Sequence, residues 1–108
     1  MADNVIHDAK VCSIFHHAIE IIGKKWAGAI IYTLCDGSKR FSEIQESIPD
    51  ISPRLLTERL KELEDYKIIL REVTTDRPIQ VFYSLTPKGL ELKPIFNSIQ
   101  EWAVNWKK

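Results

Sequence analysis

No charge of either sign dominates this sequence: 15 lysines and arginines are balanced by 15 aspartates and glutamates in 108 residues. A chain that holds polyanions through its overall charge is thereby excluded, and any nucleic-acid contact must come from a local grouping of Lys and Arg. Long apolar runs are missing as well. The most hydrophobic stretch, Trp26 to Cys35, contains Gly28 and Thr33 and is too short to cross a bilayer, so no membrane partner is expected. Cysteine is scarce: Cys12 and Cys35 are the only two, which excludes a disulfide scaffold. Repeats, low-complexity tracts and Gly/Ser-rich linkers are lacking too, so residues 1–108 read as one domain. The start, Met1 to Asp8, has neither a basic nor an apolar run, which predicts no secretory signal and a cytoplasmic location.

The chemistry of an enzyme is also absent. There is no Gly-rich phosphate loop, no Ser/His/Asp grouping in a nucleophile context and no paired-carboxylate motif. Neither an enzymatic activity nor a cofactor is expected. Cys12 and His16 stand four apart, with His7 and His17 nearby, but two ligands do not close a tetrahedral metal site. The histidines read as ordinary interface residues, and no metal is expected.

What is present is a packed core, with 44% hydrophobic residues, and periodicity for five helices and a hairpin. Val11, Ile14, Phe15, Ala18, Ile19 and Ile22 recur at helical spacing, with Gly23 placed for a left-handed cap. Trp26 to Cys35 is apolar nearly all round, which predicts a central core helix stopped by Asp36-Gly37. Ser42 and Gln45 have the spacing of a capping box and predict a short helix over about residues 43–48, broken by Pro49-Asp50. Ser52 as N-cap, Pro53 at the first helical position and Ile51 stapled to Leu56 restart the chain as a helix. Leu56, Leu60 and Leu63 then fall within about 60° of arc, while Arg54, Thr57, Glu58 and Lys61 point the other way. Residues 68–73 and 80–85, rich in β-branched and aromatic types, flank a polar turn with Arg77 and Pro78 and predict a hairpin. Thr86-Pro87, with Leu85 stapled to Leu90, opens a last helix to about Trp106, kinked at Pro94.

A short helix, a turn, a second helix with a polar outward face and a hairpin follow the order of a winged helix-turn-helix, mostly α with a small β wing. In that arrangement the second helix enters the major groove of double-stranded DNA. Arg54 can address guanine with two donors, and Thr57, Glu58 and Lys61 lie within reach of bases or phosphates. The helix N-terminus at Ser52 and Pro53 favours phosphate. Arg77 at the hairpin tip can reach the backbone or the minor groove, and Lys39 and Arg40, just before the short helix, are further candidate DNA contacts. The other reading is a winged-helix protein-interaction module without DNA activity, because alternating charges on a helix usually form a solvated face and acids outnumber bases over residues 38–66.

Five fragments, Cys12-Ser13-Ile14, Ile21 to Trp26, Arg40 to Ile44, Ile48 to Ser52 and Leu56 to Leu63, resemble the HxlR-type transcriptional regulators in order and spacing. Val81 to Gly89 and the late Trp102 extend the resemblance over about Val11 to Trp106. It implies a DNA-binding homodimer, similar in plan to MarR-type regulators, acting on a pseudo-palindromic operator. The first and last helices would form most of the interface, placing Ile14, Phe15, Ile95, Phe96, Ile99, Trp102 and Trp106 there. Operator and effector ligand are not legible. In some relatives the cysteine matching Cys12 senses oxidants or electrophiles, so Cys12 is a candidate redox sensor; its alternative is a small apolar residue packed at the interface. Relatives usually carry a glycine just after the recognition helix, where this chain has Asp65-Tyr66-Lys67.

Overall fold

The computed structural model describes residues 9–107. Met1–Asp8, which carry the reading of the N-terminus and His7, lie outside the described residues, as does Lys108. The chain forms helix α1 (Ala9–Ile22), helix α2 (Ala27–Leu34), strand β1 (Lys39–Arg40), helix α3 (Phe41–Ser47) and helix α4 (Pro53–Asp65). The hairpin strands β2 (Ile69–Val73) and β3 (Val81–Leu85), the single turn α5 (Pro87–Leu90) and helix α6 (Leu92–Asn105) follow. The strands form an antiparallel sheet in the order β1-β3-β2. This is a winged helix-turn-helix.

The fully buried hydrophobic side chains all fall between Ala27 and Ile69. The expected central helix supplies Ile30, Ile31 and Leu34, and α4 supplies Leu56, Leu60 and Leu63 at the spacing that predicted its inner face. α2 is nonetheless open on one side, where Tyr32 is exposed and donates its hydroxyl to Asn97 Oδ1 at 3.2 Å. At its end Gly37 takes φ 131°, a conformation that halts the helix. Arg59 donates to the Lys25 carbonyl at 3.0 Å and to Glu62 at 3.3 Å, and Lys24 reaches the same carboxylate at 2.9 Å, so the α1–α2 turn is fastened to α4.

Several local devices differ from the sequence expectation. Gly23 is not the left-handed cap. Its N–H bonds the Ile19 carbonyl at 2.8 Å, and a Cβ there would lie 2.6 Å from that oxygen, so close approach demands glycine; the left-handed residue is Trp26, at φ 79°. The box over Ser42 and Gln45 is not used. α3 starts earlier, with Arg40 as N-cap and the Glu43 carboxylate accepting the Arg40 N–H at 2.8 Å, while Gln45 donates instead to the Ile51 carbonyl. The last helix is disturbed one turn before Pro94, more sharply than a kink: it is interrupted at Glu91, between α5 and α6. The Leu90 carbonyl at that break is the one that Pro94, lacking an N–H, cannot serve. Leu90, expected to staple onto Leu85, is half exposed.

The end of α4 explains how the chain manages without the family's glycine. Ile68 N–H bonds the Leu63 carbonyl at 2.9 Å and Lys67 N–H bonds the Glu64 carbonyl at 3.0 Å. This is the paired pattern of a Schellman cap, with Leu63 and Ile68 supplying its buried apolar contact. The position that glycine normally fills is taken by Lys67, held left-handed at φ 67°.

α1 and α6 meet this core only through partly buried side chains, Ile21 and Ile22 on α1 and Leu92 and Phe96 on α6. No described side chain of either helix is fully buried, and both present large apolar groups: Ile14, Phe15 and Ile19 on α1, Ile95, Ile99 and Trp102 on α6, and Trp106 just beyond its end. Trp102 and Trp106 are 65% and 73% exposed. Phe96, which the periodicity placed in the same stripe, turns inward and packs against the core beside Gly28. No helix among the described residues is long and apolar enough to cross a membrane.

Candidate nucleic-acid interface

α4 divides its residues between core and solvent. Its N-terminus is built as the sequence predicts: the Ser52 hydroxyl accepts the Leu55 N–H at 3.1 Å and Pro53 occupies the first turn. Leu56 N–H bonds the Ser52 carbonyl at 2.9 Å, and proline has no N–H, so the anion-attracting end of α4 is reduced to the Arg54 amide. Ser52, Pro53, Arg54, Thr57, Glu58 and Lys61 are all exposed.

Ion pairing separates the candidate cations. Arg54, Lys61 and Arg77 have no ion-pair partner among the described residues, whereas Arg40 lies 3.7 Å from Glu43, and Arg59 is shared between Glu58 and Glu62. A cation whose charge is partly offset by a nearby carboxylate attracts a phosphate less strongly. The Arg40 N–H that Glu43 accepts, seconded by the Arg40 charge, holds the Glu43 carboxyl below the usual glutamate range. The Thr57 hydroxyl donates to the Pro53 carbonyl at 2.9 Å, so Thr57 offers its methyl and an acceptor edge, suited to a base rather than to a phosphate. Lys39 on β1 is the register partner of Tyr83 and lines a groove with Trp26, Asp36 and Asp50. Arg77 sits at the exposed hairpin tip.

Two residues the sequence reading passed over join α4. Thr57 and Lys61 share a groove of about 280 Å³ with Glu64, Arg71 and Tyr83. Arg71 and Tyr83 are register partners across the hairpin, so both side chains stand on one face of the sheet. Strand alternation from Ile69 could have found that face; the groove itself depends on how the sheet meets the helix.

Cys12 is half-buried on α1, in the helix that carries the exposed Ile14 and Phe15, and Cys35 is half-buried at the end of α2. His16 and His17 are exposed on α1, and among the described residues no three metal-ligating side chains converge. The His17 ring stands edge-on to Tyr66 at 5.2 Å.

A helix-turn-helix flanked by a small sheet, with Arg54 and Lys61 on the exposed side of its second helix, defines the winged-helix class. Within it, the family described as HxlR-like helix-turn-helix matches residues 21–108, and the chain belongs to that family. It is 42% identical over 101 residues to the HTH-type transcriptional regulator YvaP of Bacillus subtilis strain 168, covering 94% of each chain. It is 47% identical over 93 residues to the HTH-type transcriptional regulator YodB of the same strain, covering 86% of this chain and 83% of YodB. Reduced YodB superposes with a TM-score of 0.81 at 46% identity, over 86% of this chain and 91% of that one. Quinone-bound YodB gives 0.76 at the same identity, over 85% and 96%. The redox regulator HypR in its oxidised form gives 0.79 at 39% identity, over 87% and 97%.

Proposed function

We propose that this chain is a cytoplasmic, non-enzymatic transcriptional regulator that binds double-stranded DNA as a two-fold homodimer on a pseudo-palindromic operator. The observation that carries this reading is the division of α4: Leu56, Leu60 and Leu63 are locked in the core, while Arg54 and Lys61 stand outward with no carboxylate partner among the described residues. A rigidly held helix with uncommitted cations on its outer face has the form of a major-groove reader. Arg54 reads bases, with Thr57, Glu58 and Lys61 beside it. Ser52, Pro53 and Arg77 meet backbone, and Lys39 and Arg40 lie at the margin of the contact. The paired surface is the exposed apolar face of α1 and α6, with Ile14, Phe15, Ile95, Ile99, Trp102 and Trp106, while Phe96 anchors α6 to its own subunit. Covering such a face by a second copy removes it from water.

Cys12 tunes this assembly. It lies on α1, inside the proposed dimer element, so a bulky adduct there shifts the two subunits and with them the spacing of the two α4 helices. The likeness to the redox regulator HypR and to quinone-bound YodB supports the same reading. The test is the affinity for random-sequence duplex as salt is raised. Counterion release predicts a straight, negative slope of log K against log salt; a slope near zero would make the chain a protein-interaction module instead. For Cys12 the measurement is operator affinity before and after quinone or diamide, in wild type and Cys12→Ser. Loss confined to treated wild type is expected, and equal affinity in all four states reduces Cys12 to packing.

A further inference from the structure

We propose that the groove between α4 and the β2–β3 hairpin holds one sugar-phosphate strand of the bound duplex, with Arg71 as a phosphate contact and Glu64 as the stop that fixes where the strand ends. The proposal rests on the DNA-binding reading above. Its starting point is the register of the hairpin. Ile69 pairs with Leu85 and Arg71 with Tyr83, and alternation places these four side chains on one face of the sheet. Ile69 is buried and Leu85 packs against the same core, so this is the face turned toward α4. Arg71, two residues further out, is the first residue of β2 on that face to reach solvent. There it shares the groove with Thr57 and Lys61, which lie one turn apart on α4.

Charge fits an anionic strand at this end. Arg71 and Lys61 have no ion-pair partner among the described residues, and the Tyr83 hydroxyl, with no hydrogen-bond partner there, is available as a donor to a phosphate oxygen. Glu64, one turn beyond Lys61, carries the opposite sign. A phosphate seated between Lys61 and Arg71 is attracted; one displaced toward Glu64 is repelled. The groove thus sets register as well as affinity, and it is continuous with the outward face of α4 that carries Arg54. Arg71 belongs to the body of the strand rather than to the hairpin tip, so its position is fixed by the ladder to β3 while Arg77 rides on the turn.

The experiment is fluorescence anisotropy of the full chain with a random-sequence duplex of about 30 bp, from about 50 to about 200 mM salt. Losing one phosphate contact makes the slope of log K against log salt less negative by about 0.9, so Arg71→Ala should lose about 3.5-fold less affinity than wild type across that range. Arg71→Lys should keep most of the slope, and Glu64→Gln should bind more tightly than wild type at low salt. Lys93→Ala, the same charge change on α6, should match wild type. Each variant is first checked for an unchanged melting temperature. A steep wild-type slope with Arg71→Ala superimposed on it, or a Lys93→Ala effect equal to that of Arg71→Ala, overturns the groove assignment alone. A flat wild-type slope overturns the DNA reading and the groove with it.

Discussion

Replacing Lys67 by glycine should make this protein more stable, although the substitution deletes a side chain and loosens the unfolded chain. Lys67 occupies the left-handed position of the cap that ends α4, at φ 67°. A residue with a Cβ pays about 1–2 kcal/mol in that conformation, whereas glycine adopts it freely but loses roughly 0.5–1 kcal/mol more backbone entropy on folding. The difference is a net gain of about 0.5–1 kcal/mol, or about 2–6 °C in Tm for a domain of this size. The lysine side chain is exposed and forms no ion pair among the described residues, so little is lost by removing it. Lys67→Ala separates the two effects: it removes the side chain and keeps the strained Cβ, and should stay within about 0.5 kcal/mol of wild type. Urea unfolding at one fixed protein concentration is the assay, because the proposed dimer would make the midpoint depend on concentration. A glycine variant no more stable than the alanine variant would refute the strain argument.

Gly89→Ala should have the opposite sign. A Cβ there would sit 2.3 Å from the Ile68 carbonyl oxygen and 3.1 Å from Leu85 Cδ2, and that carbonyl cannot retreat without losing the Thr86 N–H at 3.0 Å. The helix-propensity gain of about 1 kcal/mol is outweighed, leaving a loss of about 1–3 kcal/mol, measured by the same urea titration. Trp102→Ala combined with Trp106→Ala should shift sedimentation from dimer to monomer at micromolar protein; a dimer of undiminished affinity would place the interface elsewhere. Arg54→Ala should cost about 1–3 kcal/mol of specific binding and relax one position per half-site, whereas Arg77→Ala should weaken all sequences alike; competition against single-base operator variants distinguishes these patterns. Because the folded pKa of Glu43 is depressed, its cap on α3 is intact at neutral pH and is lost as pH falls through that lowered value. An NMR titration should place the Glu43 midpoint below that of a glutamate in an unstructured peptide, and a midpoint equal to it contradicts the cap.

What could be read in the sequence was whatever repeats or caps locally. Ser52-Pro53 and the Leu56, Leu60, Leu63 spacing define α4 because a helix start and a buried stripe are written within one element. The hairpin followed from β-branched runs around a polar turn. β1 escaped because Lys39 and Arg40 are too few to show any period, and they become a strand only by pairing with Tyr83 and Phe82. The cap of α3 was misplaced because Arg40 with Glu43 and Ser42 with Gln45 share the same box spacing, and tertiary contact decides: Gln45 is drawn away to Ile51. Lys67 carries no local sign of a left-handed residue; the constraint comes from Leu63 and Ile68 being buried together. On the candidate interface, Arg54, Thr57 and Lys61 were legible from helix phase alone. Arg71 was not, because its place depends on strand register and on the seating of the sheet against α4.

The central claim, a two-fold reader of double-stranded DNA, is tested most directly by selecting bound duplexes from a random pool with the purified protein and sequencing them. Two α4 helices related by a dyad should enrich an inverted repeat whose half-sites lie about 10 bp, or roughly 34 Å, apart from centre to centre. Two chains should bind each selected duplex. A pool that enriches no sequence, or one that yields a single asymmetric half-site occupied by one chain, would contradict the account.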